Sequence, residues 1–132
     1  MVRPHHFVPN EETAMDNMFQ QSASGDVSRL AYEASTRAIQ ALRDKGVRVH
    51  VFEDETGQHP DSIFPNNWFS THAGGRVAVY PMFAASRRGE RRDDVLEFLK
   101  KYYRVQEIID YSGLEQDNLF LEGTGAMVID DI

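Results

Sequence analysis

Two short segments of this chain follow one order of residue types, Ile63-Phe-Pro-Asn-Asn-Trp68 and Leu119-Phe-Leu-Glu-Gly-Thr124, and their phenylalanines lie 56 positions apart (120 − 64). A period of that size points to a repeat architecture, whose units bury their cores against neighbours. Each segment also sets polar groups where an apolar strand begins or ends, the usual place for chemistry in α/β proteins.

The elements between these segments support the repeat. Val2-Arg-Pro-His-His-Phe7 reads as the tail of a strand, with Pro4 holding Arg3 extended. Val27, Leu30, Ala31, Ala34, Ala38, Ala41 and Leu42 recur at helical spacing, with Asp26 as N-cap and Gly46 as the stop. Val47, Val49 and Val51 alternate with Arg48, His50 and Phe52, which predicts a strand and completes a βαβ rhythm. After the turn Asp54-Glu-Thr-Gly57, the runs 68–72 and 76–80 flank Gly74-Gly75 as a hairpin. A second helix is predicted from about Glu90 to Tyr103, with Val95, Leu96, Leu99, Tyr102 and Tyr103 on one face, then a strand from Val105 to Ile109. Residues 119–129 start the rhythm again as a strand. The expectation is an α/β chain of about two strand-hairpin-helix-strand repeats plus the start of a third, with open sheet edges and hence self-association.

Composition narrows the function classes. The length, 132 residues with 41% hydrophobic content, suits one domain. Twenty-one acidic against 14 basic residues give a net charge of −7, unfavourable for a phosphate-backbone partner, so no nucleic acid is expected. No apolar run suggests a membrane span or signal peptide, and a cytoplasmic location is the expectation. The sequence holds no cysteine, so these residues supply neither a disulfide nor a thiolate nucleophile. His5 and His6 point to opposite faces of an extended chain, and His50, His59 and His72 lack metal-ligand spacing. No metal and no cofactor are expected.

Four residues stand out as site candidates, each with a plainer alternative. Asn66 and Asn67 suit a turn after Pro65, yet two carboxamides at a strand mouth beside Trp68 could both donate to and accept from a planar ligand, with the indole as a wall. Glu122 interrupts a run otherwise fit for burial and needs a partner, which is either a ligand or an arginine of the Arg87-Arg88 or Arg91-Arg92 pairs. Gly123 and Gly125 would let backbone approach a ligand. The cluster Ser86-Arg-Arg-Gly-Glu-Arg-Arg92 reads as a solvated helix start with local ion pairs, and Trp68, Tyr80 and Phe83 read as core.

Together, Val2-Arg-Pro, Asn17-Met-Phe-Gln20, Pro60-Asp-Ser-Ile-Phe-Pro-Asn-Asn-Trp-Phe69, Tyr80-Pro-Met82, Arg87-Arg-Gly-Glu-Arg-Arg92 and Phe120-Leu-Glu-Gly-Thr-Gly125 resemble the amidinotransferase, arginine deiminase and dimethylarginine hydrolase superfamily, the penteins. The most similar branch is that of the arginine-deiminase-related, citrulline-hydrolase-like proteins. The resemblance covers almost the whole chain but only the amino-terminal part of a family member. Residues 1–132 are therefore expected to be the amino-terminal part of a single amidinotransferase-like catalytic domain, a partial five-bladed α/β propeller.

The resemblance implies attack by a cysteine on the carbon of a guanidino or ureido group, with a histidine assisting and carboxylates gripping the nitrogens. Carried over, Glu122 is the catalytic acidic residue that binds the substrate nitrogens and supports the histidine, while Asn66, Asn67 and Trp68 belong to substrate binding. Asn67 falls where related enzymes hold an aspartate. A neutral amide suits a neutral ureido group better than a cationic guanidinium, so the implied small-molecule partner is a guanidino or ureido amino acid, citrulline above arginine. The nucleophile and the histidine lie downstream in the family, and none of the five histidines here falls in a matching motif. The chain alone is expected to be inactive. The alternative from another class is a non-catalytic binding or assembly module that keeps the family fold.

Overall fold

The computed structural model describes residues 1–14 and 26–127. The resemblance motif at 17–20 and the end of the expected third strand at 128–129 lie outside the described residues. The chain divides into two units, Met1–Phe64 and Pro65–Ile132.

In the first unit, β1 (Val2–Pro4) pairs in parallel with β2 (Phe52–Asp54), with Val2 opposite Phe52 and Pro4 opposite Asp54. Between them come one helical turn, α1 (Glu11–Ala14), and the long helix α2 (Val27–Asp44). Asp26 caps α2 as its sequence indicates, its carboxylate accepting from the Arg29 N–H at 3.0 Å. Gly46 ends the helix region at φ +81°, a backbone angle that suits glycine. The strand expected from Val47 is displaced: residues 47–51 carry no strand and the ladder occupies Phe52–Asp54. A strand exists where it has a neighbour, and β1 offers its paired residues to 52–54 only.

Helix α2 also turns a different face inward from its leucine and alanine stripe. Ile39 is buried, whereas Leu30, Ala34, Ala38, Ala41 and Leu42 are not. Polar tethers set that rotation. Ser28 donates to the His5 carbonyl at 2.8 Å, and Arg3 reaches Thr36 and lies 4.9 Å from the Tyr32 ring centre.

Arg3 also forks onto Glu53 across the β1–β2 pair, and Glu53 Oε2 meets His5 Nε2 at 2.9 Å. The Arg3 guanidinium is the main reason the Glu53 carboxyl lies at about 2, well below its ordinary value of 4.5. A depressed carboxyl contributes stability that is complete above its unfolded value and is lost as the pH falls through its folded one. We therefore expect the first unit to weaken progressively between about pH 4.5 and 2, with a Glu53→Gln variant losing that slope. Acid titrations followed by circular dichroism check this, and identical slopes in both proteins would refute it.

The second unit holds a three-stranded sheet in the order β3 (Phe69–His72), β4 (Arg76–Val79), β5 (Glu107–Asp110). The β3–β4 pair is the expected hairpin, antiparallel with Phe69 opposite Val79. Its turn demands Gly75, whose φ is +75° and where a Cβ would overlap the Arg104 carbonyl oxygen. Strand β5 runs parallel to β4, so the connection between them is a crossover through two helices.

The crossover differs from the single helix expected over 90–103. It contains a short turn α3 (Ala85–Arg88), a break, and then α4 (Asp93–Tyr102). Arg92 before α4 is extended, and Glu90 is buried in the break because its charge is paired there. Val95 on α4 is core, but Tyr102 and Tyr103 are 60% and 47% exposed and gather around Phe98. The core of this unit comprises Trp68, Val77, Val79, Tyr80, Met82, Ala84 and Val95. Phe83, expected in the core, is 63% exposed and meets Phe120 edge to face at 5.2 Å. After β5, a 3-10 turn over Ser112–Asp117 ends at Asn118 in the left-handed region. The strand expected from Leu119 is absent among the described residues: Gly123–Ala126 form a helical turn, α5. Two glycines in four residues favour a turn over a ladder.

Candidate functional site

The second unit brings the two motifs together. Asn66 and Asn67 lie in a 3-10 turn, Pro65–Asn67, directly before β3, and α5 packs against that turn. Gly123 makes the approach feasible, since a Cβ there would overlap the Asn66 carbonyl oxygen and lie 3.3 Å from both the Asn67 oxygen and the Tyr80 ring.

A small network fixes the carboxamides. Asn66 Nδ2 donates to Asn67 Oδ1 at 3.1 Å and makes a short bond to Thr124 Oγ1, and Thr124 Oγ1 donates to Asn67 Oδ1 at 3.3 Å. Asn67 therefore spends its oxygen inside the network and presents its Nδ2 toward Gly125. Glu122 arrives from the other side. A Cβ on Gly125 would stand 3.2 Å from Glu122 Oε2 and 3.3 Å from Asn67 Nδ2, so a carboxylate acceptor and an amide donor face one point left open by glycine.

Glu122 is held by both oxygens. Oε1 accepts the Phe83 N–H at 3.2 Å, and Oε2 meets Arg87 Nη1 at 3.5 Å. The arginine partner weighed for Glu122 thus exists, and it is Arg87. The cluster at 86–92 departs from the solvated helix start expected of it, because Arg87 is 5% exposed and Glu90 1% exposed. Arg87 forks onto Glu90 through Nε at 3.1 Å and Nη2 at 2.9 Å. Beside them, Glu115 accepts from the Met82 N–H at 2.7 Å and from Arg91 at 2.5 Å, with Arg88 at 3.5 Å. Burial pushes the Glu115 carboxyl up, but Arg91, the Met82 N–H and Arg88 outweigh it and hold it below its ordinary value.

Of the four residues named from sequence, Asn66, Asn67 and Glu122 lie together, with Asn66 exposed and Asn67 and Glu122 half-buried. Trp68 is 1% exposed and lies against Phe69 with ring centres 4.5 Å apart and planes tilted by 46°, so instead of a wall facing a ligand it is the packing behind the turn. Arg87, Thr124, Glu90 and Glu115 complete the surroundings, and of these sequence reasoning names only Arg87, as one of four arginines that could pair with Glu122. The Arg87 and Glu90 spacing of i, i+3 is the available signal, but a charge run does not say which of its members are buried. Among the described residues no cluster of His, Asp or Glu could hold a metal ion, and no helix is long and apolar enough to cross a membrane.

In its fold the chain is similar to a crystal structure of a dimethylarginine dimethylaminohydrolase, a histidine-to-glycine variant in its adduct with S-methyl-L-thiocitrulline, with a TM-score of 0.57 at 18% identity. That match covers 83% of this chain and 40% of the solved one, so the chain spans well under half the length of that structure. No curated protein matches. The family model described as N,N dimethylarginine dimethylhydrolase, eukaryotic, matches residues 3–132. That match runs through both site motifs, and the chain belongs to the dimethylarginine dimethylhydrolase family, within the superfamily that its motifs resemble.

Proposed function

We propose that these residues form part of the substrate pocket of a hydrolase that releases ammonia from a ureido amino acid, citrulline before arginine. The observation that carries this reading is the pairing of an amide donor and a carboxylate acceptor around Gly125. A ureido group offers a carbonyl oxygen to Asn67 Nδ2 and N–H groups to Glu122, whereas a guanidinium has no acceptor for the amide. Glu122 grips the substrate nitrogens and orients the histidine that moves the proton, Asn66 and Thr124 hold Asn67 in its donor orientation, and Trp68 supports the turn. The 132 residues contain no cysteine, so the thiolate that attacks the ureido carbon comes from elsewhere in the complete protein. In this reading both units belong to one catalytic domain, a five-bladed α/β propeller to which the chain contributes about two repeats, and residues 1–132 alone are inactive. The second reading is a binding or assembly module that keeps the family fold without turnover.

Ammonia release from citrulline, arginine and dimethylarginine by the complete protein tests the proposal. Citrulline is expected to give the highest kcat/KM, and a protein that turns over arginine much faster would overturn the substrate assignment. Binding of citrulline without turnover would favour the second reading. Asn67→Asp should lower kcat/KM for citrulline by about tenfold or more and narrow its advantage over arginine, because it replaces the donor by an acceptor. An unchanged ratio of the two substrates would place Asn67 outside the pocket.

A further inference from the structure

Past Tyr80, whose N–H still meets the Trp68 carbonyl at 2.9 Å, the chain leaves the sheet and side chains take over its backbone groups. Two successive N–H groups end on carboxylates: Met82 N–H donates to Glu115 Oε1 at 2.7 Å, and Phe83 N–H to Glu122 Oε1 at 3.2 Å. The carbonyls of the same stretch end on arginines. Arg91 donates to the Tyr80 carbonyl at 3.3 Å, and Arg88 donates to those of Met82 and Phe83 at 3.2 and 3.4 Å. Both arginines also reach Glu115, Arg91 through Nη1 at 2.5 Å and Nη2 at 3.1 Å, and Arg88 through Nε at 3.5 Å. Glu115 thus holds the Met82 N–H directly and the three carbonyls through its arginines. Its side chain is 11% exposed and Met82 is fully buried, so this end of the stretch is fixed by charge-assisted bonds in the interior.

Building on the reading of Glu122 given above, we propose that Glu115 is a positioning residue for Glu122: by fixing the Met82 N–H and the arginines that hold residues 80–83, it aims the Phe83 N–H on which the Glu122 carboxylate is oriented. The Met82 carbonyl and the Phe83 N–H belong to one planar peptide unit. Arg88, held by Glu115, grips the oxygen of that unit, and this sets the direction in which its N–H points toward Glu122. The other Glu122 oxygen meets Arg87 at the longer distance of 3.5 Å, so the Phe83 N–H is the closer of these two restraints. Glu115 acts on the point beside Gly125 through Phe83 and Glu122.

The test is a double-mutant cycle with citrulline in the complete protein that contains this chain. Glu115→Ala is expected to lower kcat by about tenfold to a hundredfold, the scale of a small misplacement of a reacting group, with KM within about threefold of wild type. In a Glu122→Gln background the same change should lower kcat by less than about threefold, because the group it positions is already lost. A general loosening of the structure would cost the same in both backgrounds, so equal losses would overturn the proposal, as would a wild-type kcat in Glu115→Ala. Glu115→Gln is the conservative companion. Arg91 and Arg88 keep 19% and 37% of their side-chain surface and can turn to water, whereas the buried Met82 N–H cannot, so the carboxamide keeps its oxygen on Met82 and should recover part of kcat. Should Glu115→Ala fail to give a cooperative thermal transition, the cycle with Glu115→Gln decides by the same comparison. Glu122→Gln separates the two levels. If it alone leaves the kinetics untouched, the pocket reading fails and this inference with it, whereas a large fall there, with equal further losses from the Glu115 variants in both backgrounds, removes this inference alone.

Discussion

Glu122→Gln is expected to reduce turnover of a ureido substrate in the complete protein by about 10²- to 10⁴-fold, the range for losing a positioned acid or base. The substitution is nearly isosteric, and a carboxamide oxygen can still accept the Phe83 N–H that now bonds Oε1 at 3.2 Å. What it removes is the charge and one of the two acceptors. The two carboxylate oxygens each face a donor, Oε1 the Phe83 N–H and Oε2 the Arg87 guanidinium, so a carboxamide must set its NH₂ against one of them. With NH₂ in the Oε2 place the point beside Gly125 would face two amide donors, Asn67 Nδ2 and the new one, and with NH₂ in the Oε1 place the oxygen left at that point would be uncharged and a weaker acceptor for the N–H groups of a ureido substrate. Binding should suffer less than chemistry, because a carboxylate supporting a developing cation matters most in the transition state. Steady-state kinetics with citrulline check this, with a large fall in kcat and a KM within about tenfold of wild type. A kcat near wild type would show that Glu122 is a structural anchor for the 83–87 segment and nothing more.

What could be read in the sequence was what depends on local pattern. The α2 cap at Asp26, the stop at Gly46 and the hairpin around Gly74-Gly75 follow from residue type and φ, and they stand where pattern puts them. Features that depend on neighbours were displaced. The strand begins at Phe52 instead of Val47 because a ladder is a property of two chain segments, and α2 buries Ile39 over its alanine stripe because Ser28 and Thr36 tether the helix to the β1 segment. The same division holds at the site. Asn66, Asn67 and Glu122 announced themselves as polar residues among apolar ones, but burial of the Arg87–Glu90 pair, exposure of Phe83 and withdrawal of Trp68 into the core depend on a crossover whose helices break at Glu90. The convergence of two motifs 56 positions apart (120 − 64) is a tertiary fact, and the repeat in residue order hinted at it without giving the contact.

Gly123→Ala should damage this convergence more than any other small substitution in the second unit, at a cost of about 1–3 kcal/mol in stability. The added methyl would fall far inside contact distance of the Asn66 carbonyl oxygen, and its other neighbours are the Asn67 oxygen and the Tyr80 ring, both at 3.3 Å. Two of these three are backbone, which has no rotamer by which to withdraw, and Tyr80 is 5% exposed with its hydroxyl bonded to Ser70 at 2.6 Å. The strain must therefore be relieved by separating α5 from the Pro65–Asn67 turn, which would part Thr124 from the two asparagines. Gly125→Ala offers the contrast. Its methyl would meet only side chains, Glu122 Oε2 at 3.2 Å and Asn67 Nδ2 at 3.3 Å, which can shift by a few tenths of an ångström. Thermal denaturation of the complete protein should show a lowered Tm for Gly123→Ala and little change for Gly125→Ala, while the citrulline KM rises in both. The second variant isolates the ligand site, because its methyl occupies the point on which donor and acceptor converge. A Gly125→Ala protein with wild-type KM would mean that ligands bind elsewhere, and a Gly123→Ala protein with wild-type Tm would mean that α5 and the Asn turn do not depend on each other.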